Sequence, residues 1–359
     1  MNAAPAARRP PDASAHGWPL REPAAAGFDP QALAAGIARF EGAAPHDGVR
    51  KLLVARDGAV VHAGPEAHVA QGAYSITKTF LSTVMGLLYD DGRFRPDQPA
   101  ADVLPELRAA FPEATFGQFL SMTSGYRAAD DDRPVNAYRH GPSRTPFRPA
   151  ATPQNPPGTA YSYWDSAPTM LALAATRLAG EPLDALFRRR VGAVVGIDVE
   201  WGAWLHEGMR INGGSGNWYG PVQVTPFDLL KLGELYRLDG AWRGRQVLSR
   251  DWCRLATSVQ VPVELGQEGE LFQGRGVYGY FWWVQGRKPD GALKWPGLET
   301  RLFSAAGLNN NDLFVLPKHG LVVLRMGHDE DTGRQVDDAT YAALLRGIVD
   351  AITEGEGGR

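Results

Sequence analysis

The chain has 359 residues, 44% of them hydrophobic, 10% aromatic and 21% charged, and its 37 basic and 40 acidic side chains leave a formal net charge of -3. That length supports a sizeable core in one or two domains, and the near-neutral balance supplies no positive field for a nucleic-acid backbone. A single cysteine, Cys253, excludes an intramolecular disulfide framework, and no run reaches the roughly 18 apolar residues of a membrane-spanning helix.

Residues 1–27 carry Arg8-Arg9 followed by Pro, Ala, Asp and Ser where a signal peptide needs a continuous apolar stretch, so they read as a flexible N-terminal arm. The expectation is a cytoplasmic protein, or a periplasmic one if a leader was trimmed. Asp29-Pro30 then opens a helix in which Leu33, Ile37 and Phe40 recur at spacings of four and three. Val49 to Ala55 and Ala59 to Ala63 are strand-like and flank Asp57-Gly58, the dipeptide of a tight hairpin turn. From Ser75 to Leu88 the residues Ile76, Phe80, Val84 and Leu87 keep helical spacing until Asp90-Asp91-Gly92 stops it. A short helix is expected within Thr115 to Met122. Over residues 126–158 periodicity disappears among seven prolines, a pattern of a lid or substrate wall rather than a connector.

Helical spacing returns in Met170 to Leu178, ending at Gly180, and in Pro226 to Leu238, which Thr225 caps. Val277 to Val284 predicts a strand with Tyr278, Tyr280 and Trp282 on one face and Gly279, Phe281 and Trp283 on the other. Leu302 to Leu308, Asp312 to Leu316 and Leu321 to Met326 predict three successive strands, the last pair joined at Lys318-His319-Gly320. A final helix is expected from Val336 to Ile352. This order predicts one antiparallel sheet built from both ends of the chain, residues 28–74 and 205–359, with a helical lobe, residues 75–204, inserted between them.

Three segments carry candidate chemistry. In Ser75-Ile76-Thr77-Lys78 the hydroxyl and the amine stand at i and i+3 on one helix face, so the amine can take the hydroxyl proton if burial lowers its pKa. Ser75 also stands at the predicted helix N-terminus, where backbone N–H groups favour a developing oxyanion. In Pro157 to Asp165, Tyr161 or Tyr163 can serve as an acid or base beside a lysine, and Asp165 can cap the following helix. In Phe303 to Leu308 the small residues Ser304, Ala305, Ala306 and Gly307 suggest close approach to the strand backbone.

Together these segments resemble the serine hydrolases of the β-lactamase and penicillin-binding-protein fold, particularly the esterases and amide hydrolases related to class C β-lactamases and to 6-aminohexanoate-oligomer hydrolase. The resemblance runs from about Phe28 to Met326. It rests on Ser75-x-x-Lys78 followed by Gly86 and Asp91-Gly92, on Phe119-Leu120-Ser121-Met122-Thr123-Ser124-Gly125, on Pro157-Gly158 six residues before Tyr163, and on Asp239-Gly240-Ala241-Trp242-Arg243-Gly244. It implies an α/β fold of the α+β type, an antiparallel sheet flanked by helices with an inserted helical lobe. It further implies Ser75 as the acylated nucleophile, Lys78 as its base, Tyr163 as the motif tyrosine in preference to Tyr161, and the N–H groups of Ser75 and Leu308 as oxyanion donors.

The chain departs from the family pattern twice. Asp165 replaces the Asn of Tyr-x-Asn, and its charge would raise the Lys78 pKa. Ala305-Ala306-Gly307 replaces Lys-Thr-Gly or His-x-Gly, so the cation that recognises a substrate carboxylate is missing and a neutral ester or amide is expected. Gly213-Gly214-Ser215-Gly216-Asn217 fails the nucleophile-elbow pattern at Asn217 and reads as a flexible loop near the site. The eight histidines show no metal spacing, and no nucleotide motif is present. The expected function is a metal-independent serine hydrolase of a small-molecule ester or amide, with no cofactor, no nucleic acid and no membrane. An acyltransferase, a true β-lactamase and a non-catalytic binding protein of the same fold are its rivals. Tyr138, Tyr161, Trp164 and Trp218 are candidate pocket-lining aromatics.

Overall fold

The computed structural model describes residues 16–44, 47–131, 143–216, 220–267, 272–328 and 336–353. Helix α1 spans Pro30–Ala43; Pro30 opens it, and the Asp29 carboxylate accepts hydrogen bonds from the N–H groups of Gln31 and Ala32. Strands β1 (Leu52–Arg56) and β2 (Ala59–Ala63) form the expected hairpin, with Asp57 and Gly58 at φ 47° and 75°. A two-residue strand β3 (Gln71–Gly72) leads through a single 3-10 turn, Tyr74–Ile76, into helix α2 (Thr77–Asp90). The short helix α3 (Phe116–Leu120) starts with a reciprocal capping box between Thr115 and Gln118. Helix α4 (Ser166–Ala179) ends on Gly180 in the left-handed region.

Strands β4 (Val199–Trp201) and β5 (Val222–Val224) pair antiparallel, and β5 also pairs with β3. Helix α5 (Pro226–Arg237) is capped by Thr225 as expected. The principal sheet is completed by β6 (Trp283–Val284), β7 (Phe303–Gly307), β8 (Asn311–Leu316) and β9 (Leu321–Arg325), which helix α6 (Asp338–Asp350) follows.

The principal sheet has the order β6-β7-β8-β9-β1-β2, and every neighbouring pair is antiparallel. Residue 52 pairs with residue 325, so the two ends of the chain meet in the sheet as the sequence led us to expect. Gly233 of α5 faces Leu313 and Val322, whereas Tyr341 of α6 packs on Phe314, so the helices cover opposite faces. Strand β1 is buried on both.

The segment 277–284 departs from the expected strand. Phe281 takes a positive φ of 61°, and the Gly279 N–H donates to the Trp282 carbonyl, so the chain reverses and only Trp283–Val284 joins the sheet. Alternation therefore fails: Trp283 packs with Tyr163 and with Tyr278, expected on the opposite face, while Trp282 packs with Tyr236 and Phe303.

In the loop 126–158, residues 132–142 lie outside the described residues. Its described ends are tied down: Tyr126 Oη donates to Pro146 O at 2.7 Å, and Trp164 Nε1 donates to Asp131 at 2.9 Å. Among the described residues no helix is long and apolar enough to cross a membrane.

Candidate functional site

Ser75 sits in the 3-10 turn ahead of α2, one turn before the regular helix that carries Lys78. The turn is pinned from both sides. Ala73 N–H donates to the Val222 carbonyl, and Thr77 Oγ1 accepts from Val222 N–H, which fastens it to β5. Tyr74, immediately before Ser75, has a φ of 49°, a left-handed conformation that a bulky side chain adopts only when its surroundings impose it. Those surroundings include Gly216: a Cβ there would lie 1.9 Å from the Tyr74 carbonyl oxygen. Gly216 is thus packed against the turn, while Gly213 and Gly214 pack closely on Gly220 and Pro168, so the stretch is not loose; Asn217 lies outside the described residues.

Lys78 is 1% exposed, and its ammonium makes three hydrogen bonds, to Ser75 Oγ at 2.9 Å, Asp165 Oδ1 at 2.9 Å and Ser215 O at 3.1 Å. Three donors meet three acceptors, the arrangement of a protonated lysine. Burial pulls its pKa down, but the Asp165 charge and Tyr163 outweigh that pull and hold it above the ordinary lysine value. Burial alone therefore does not set the lysine, and the acid at position 165 raises it as its replacement of the family's Asn led us to expect. Asp165 stands at the N-cap position of α4, yet its side chain makes no capping bond and turns to Lys78 instead.

The Tyr163 ring lies under Lys78, its centroid 4.8 Å from Nζ, and is stacked on Trp283 at 6.0 Å. Tyr161 is fully buried against Tyr278, with its hydroxyl pushed well above the usual range by burial. Neither Tyr161 nor Trp164 lines the cavity at Ser75, and Tyr138 and Trp218 lie outside the described residues.

Strand β7 approaches the Ser75 turn directly. A Cβ on Gly307 would lie 2.4 Å from Ala73 O and 3.3 Å from Ser75 N, so only glycine admits this backbone apposition. Leu308 follows at 45% exposure, and the next turn, with Asn309 and Asn310 at φ 68° and 58°, is held by Arg325 Nη1, which donates to both of their carbonyls. Ala305 points into the core and away from the cavity that Ser304 and Ala306 line.

That cavity, about 430 Å³, is lined by Ser75, Tyr163 and Leu308 together with Trp283, Trp295, Phe314 and Tyr341. Its lining also includes Lys288, Lys294, Asp312, Asp337 and Asp338, none of which the sequence analysis singled out. No motif marks them, because they belong to an irregular loop, a strand and a helix start far apart in the chain. Elsewhere Glu106, His206 and Glu207 bring ligand atoms within 4.8 Å of one another, but Arg177 already donates to both glutamates.

Fold and site together define a mixed α/β protein of the β-lactamase/transpeptidase fold, with helices about an antiparallel sheet. The family model described as Beta-lactamase matches residues 30–347, and the chain belongs to that family. Among solved structures it is similar to a protein provisionally named a 6-aminohexanoate-dimer hydrolase from Bacillus anthracis (16% identity, TM-score 0.61, covering 83% of this chain and 77% of that one). It is also similar to EstCE1, described as a hydrolase with promiscuous acyltransferase activity (16%, 0.65, 89% and 98%), and to a penicillin-binding-protein homologue from Caulobacter crescentus (17%, 0.64, 90% and 97%). At such identities these likenesses establish the fold alone. No curated protein matches the chain.

Proposed function

We propose that the protein is a serine hydrolase that cleaves a small ester or amide through an acyl-enzyme on Ser75. The observation that carries this reading is Lys78 Nζ at 2.9 Å from Ser75 Oγ, at the mouth of an aromatic-walled cavity. Ser75 Oγ attacks the substrate carbonyl while its proton passes to the free-amine form of Lys78. The N–H groups of Ser75 and Leu308 hold the oxyanion. As the bond to the leaving group breaks, Lys78 returns the proton through Tyr163 to the departing oxygen or nitrogen. Water then attacks the acyl-enzyme by the same route, releasing the acid and restoring Ser75. An alcohol in place of that water gives acyl transfer, and formation of a second product at the expense of free acid reports it.

The test is a panel of a short-chain p-nitrophenyl ester, an anilide and a cephalosporin, with the parent and Ser75→Ala. The expected result is ester cleavage that falls at least about 1,000-fold in the variant. Equal activity in both proteins removes Ser75 as nucleophile, and cephalosporin turnover matching the ester would make the protein a β-lactamase.

A further inference from the structure

For the proposed oxyanion hole to form, the backbone amides of Ser75 and Leu308 must face one oxygen, yet they belong to segments far apart in the chain. Their separation has to be held by something between them. Asn311 opens β8 and pairs across the hairpin with Gly307, the residue before Leu308. Its side chain is fully buried and is not part of the cavity lining. Asn311 Oδ1 accepts from Gly327 N–H at 3.0 Å and from Gln71 Nε2 at 3.0 Å, while Asn311 Nδ2 donates to Gly72 O at 3.3 Å. The Gly327 amide can only donate and the Gly72 carbonyl can only accept, so the two ends of the Asn311 amide are not interchangeable.

Gln71, also buried, completes the set: its Nε2 donates to Gly327 O at 3.0 Å as well, and its Oε1 accepts from Lys51 Nζ. Both ends of the link lie close to the proposed donors. Gly72 ends β3 just before the Ser75 turn, and the next carbonyl, that of Ala73, is the one against which Gly307 packs. On the other side, Arg325 Nη1 donates to the carbonyls of Asn309 and Asn310, and Tyr341 Oη donates to Asn310 O at 3.2 Å. The end of the β7–β8 hairpin is therefore braced, and Leu308 moves with Asn311.

We propose that Asn311 is a positioning residue of the oxyanion hole: by tying Gly72 O to the end of the β7–β8 hairpin, it sets the distance between the N–H groups of Ser75 and Leu308. This rests on the serine-hydrolase reading and on those two donors. A buried amide that is satisfied at both ends resists slippage, because moving either segment leaves a donor or an acceptor unpaired where no water replaces it. Gly307 permits the two backbones to approach, and Asn311 fixes how closely they do.

The test compares p-nitrophenyl butyrate with its thiono ester, in which C=S replaces C=O. Sulfur is larger than oxygen and accepts hydrogen bonds weakly, so the thiono substrate draws little on the two donors. Asn311→Asp keeps the size and the acceptor side but sets a second oxygen against Gly72 O. Its kcat on the oxygen ester is expected to fall about 10–100-fold with KM changed less than about 3-fold, and the ratio of oxygen to thiono rates to fall at least about 5-fold. Gln71→Glu keeps the Lys51 contact and removes both Nε2 bonds; it should lower the same ratio at least about 2-fold, and it decides the matter if Asn311→Asp shows no cooperative melting transition. In a variant that melts cooperatively, an unchanged kcat on the oxygen ester or equal losses on both esters overturns the proposal, equal losses being what a merely structural role produces. Ser75→Ala as active as the parent would instead remove the nucleophile, so failure of the serine-hydrolase reading is distinguished from failure of this inference.

Discussion

Beside Ser75 the chemistry turns on one proton. Lys78 accepts the serine proton only as a free amine, and Asp165 opposes that form because a carboxylate 2.9 Å away favours the ammonium. A lysine raised in the folded state contributes stability that is complete below its free-chain value and is lost only as pH climbs through the folded value, so the pair persists throughout the neutral range. Activity should consequently rise with pH into the alkaline range. Asp165→Asn removes the charge that holds the proton and leaves burial to dominate, so the ascending limb of kcat/KM should move to lower pH. A pH–rate profile of both proteins checks this, and loss of activity at every pH would instead make Asp165 the proton acceptor. Much of this constellation was legible in the sequence: Ser75 and Lys78 stand one helical turn apart, and Pro157-Gly158 fixes the distance to Tyr163. The exchange of Asp165 from helix cap to lysine partner was legible only in part, since position 165 precedes α4 either way. Lys288 and Lys294 left no trace, because their meeting at Asp338 depends on how an irregular loop packs against a helix start.

At the level of elements, the geometry of the proposed site depends on two backbones touching. Strand β7 can lie against the nucleophile turn only because residue 307 lacks a Cβ. Gly307→Ala would place that carbon 2.4 Å from Ala73 O and force the strand outward, taking the Leu308 N–H away from the developing oxyanion. The expected loss is about 100–1,000-fold in kcat with the melting transition still cooperative, measured by ester hydrolysis and thermal denaturation in parallel. Retention of full kcat would show that Leu308 is not an oxyanion donor. Strands β7, β8 and β9 were predictable because continuous apolar runs are bounded by turn residues. The run of aromatic residues at 277–284 misled for a physical reason: alternation describes side chains only while φ stays extended, and the break comes at Phe281, at 61°, a residue that is neither glycine nor asparagine.

For the whole molecule, the decisive feature is how the two ends close the sheet. Helices α1 and α6 cross where a Cβ on Gly36 would lie 3.3 Å from the Gly347 backbone, and Asp29 N–H donates to Ala351 O while Thr353 N–H donates to Gly27 O. Gly36→Leu should overpack that crossing and cost about 1–3 kcal/mol, read as a lower denaturant midpoint at an unchanged slope. An unchanged midpoint would mean that the two helices part without penalty. The sheet order was foreseeable from strands at both ends of the chain, but the Gly36–Gly347 contact was not, because a glycine within a helical pattern does not tell which other helix it meets. The pairing of residue 52 with residue 325 also sets a schedule. On a ribosome β1 and β2 emerge before β9, so the first hairpin waits with the other edge of β1 unpaired until β9 has followed. The nucleophile turn, fastened to β5 but completed only by β7, acquires its final shape among the last events of folding.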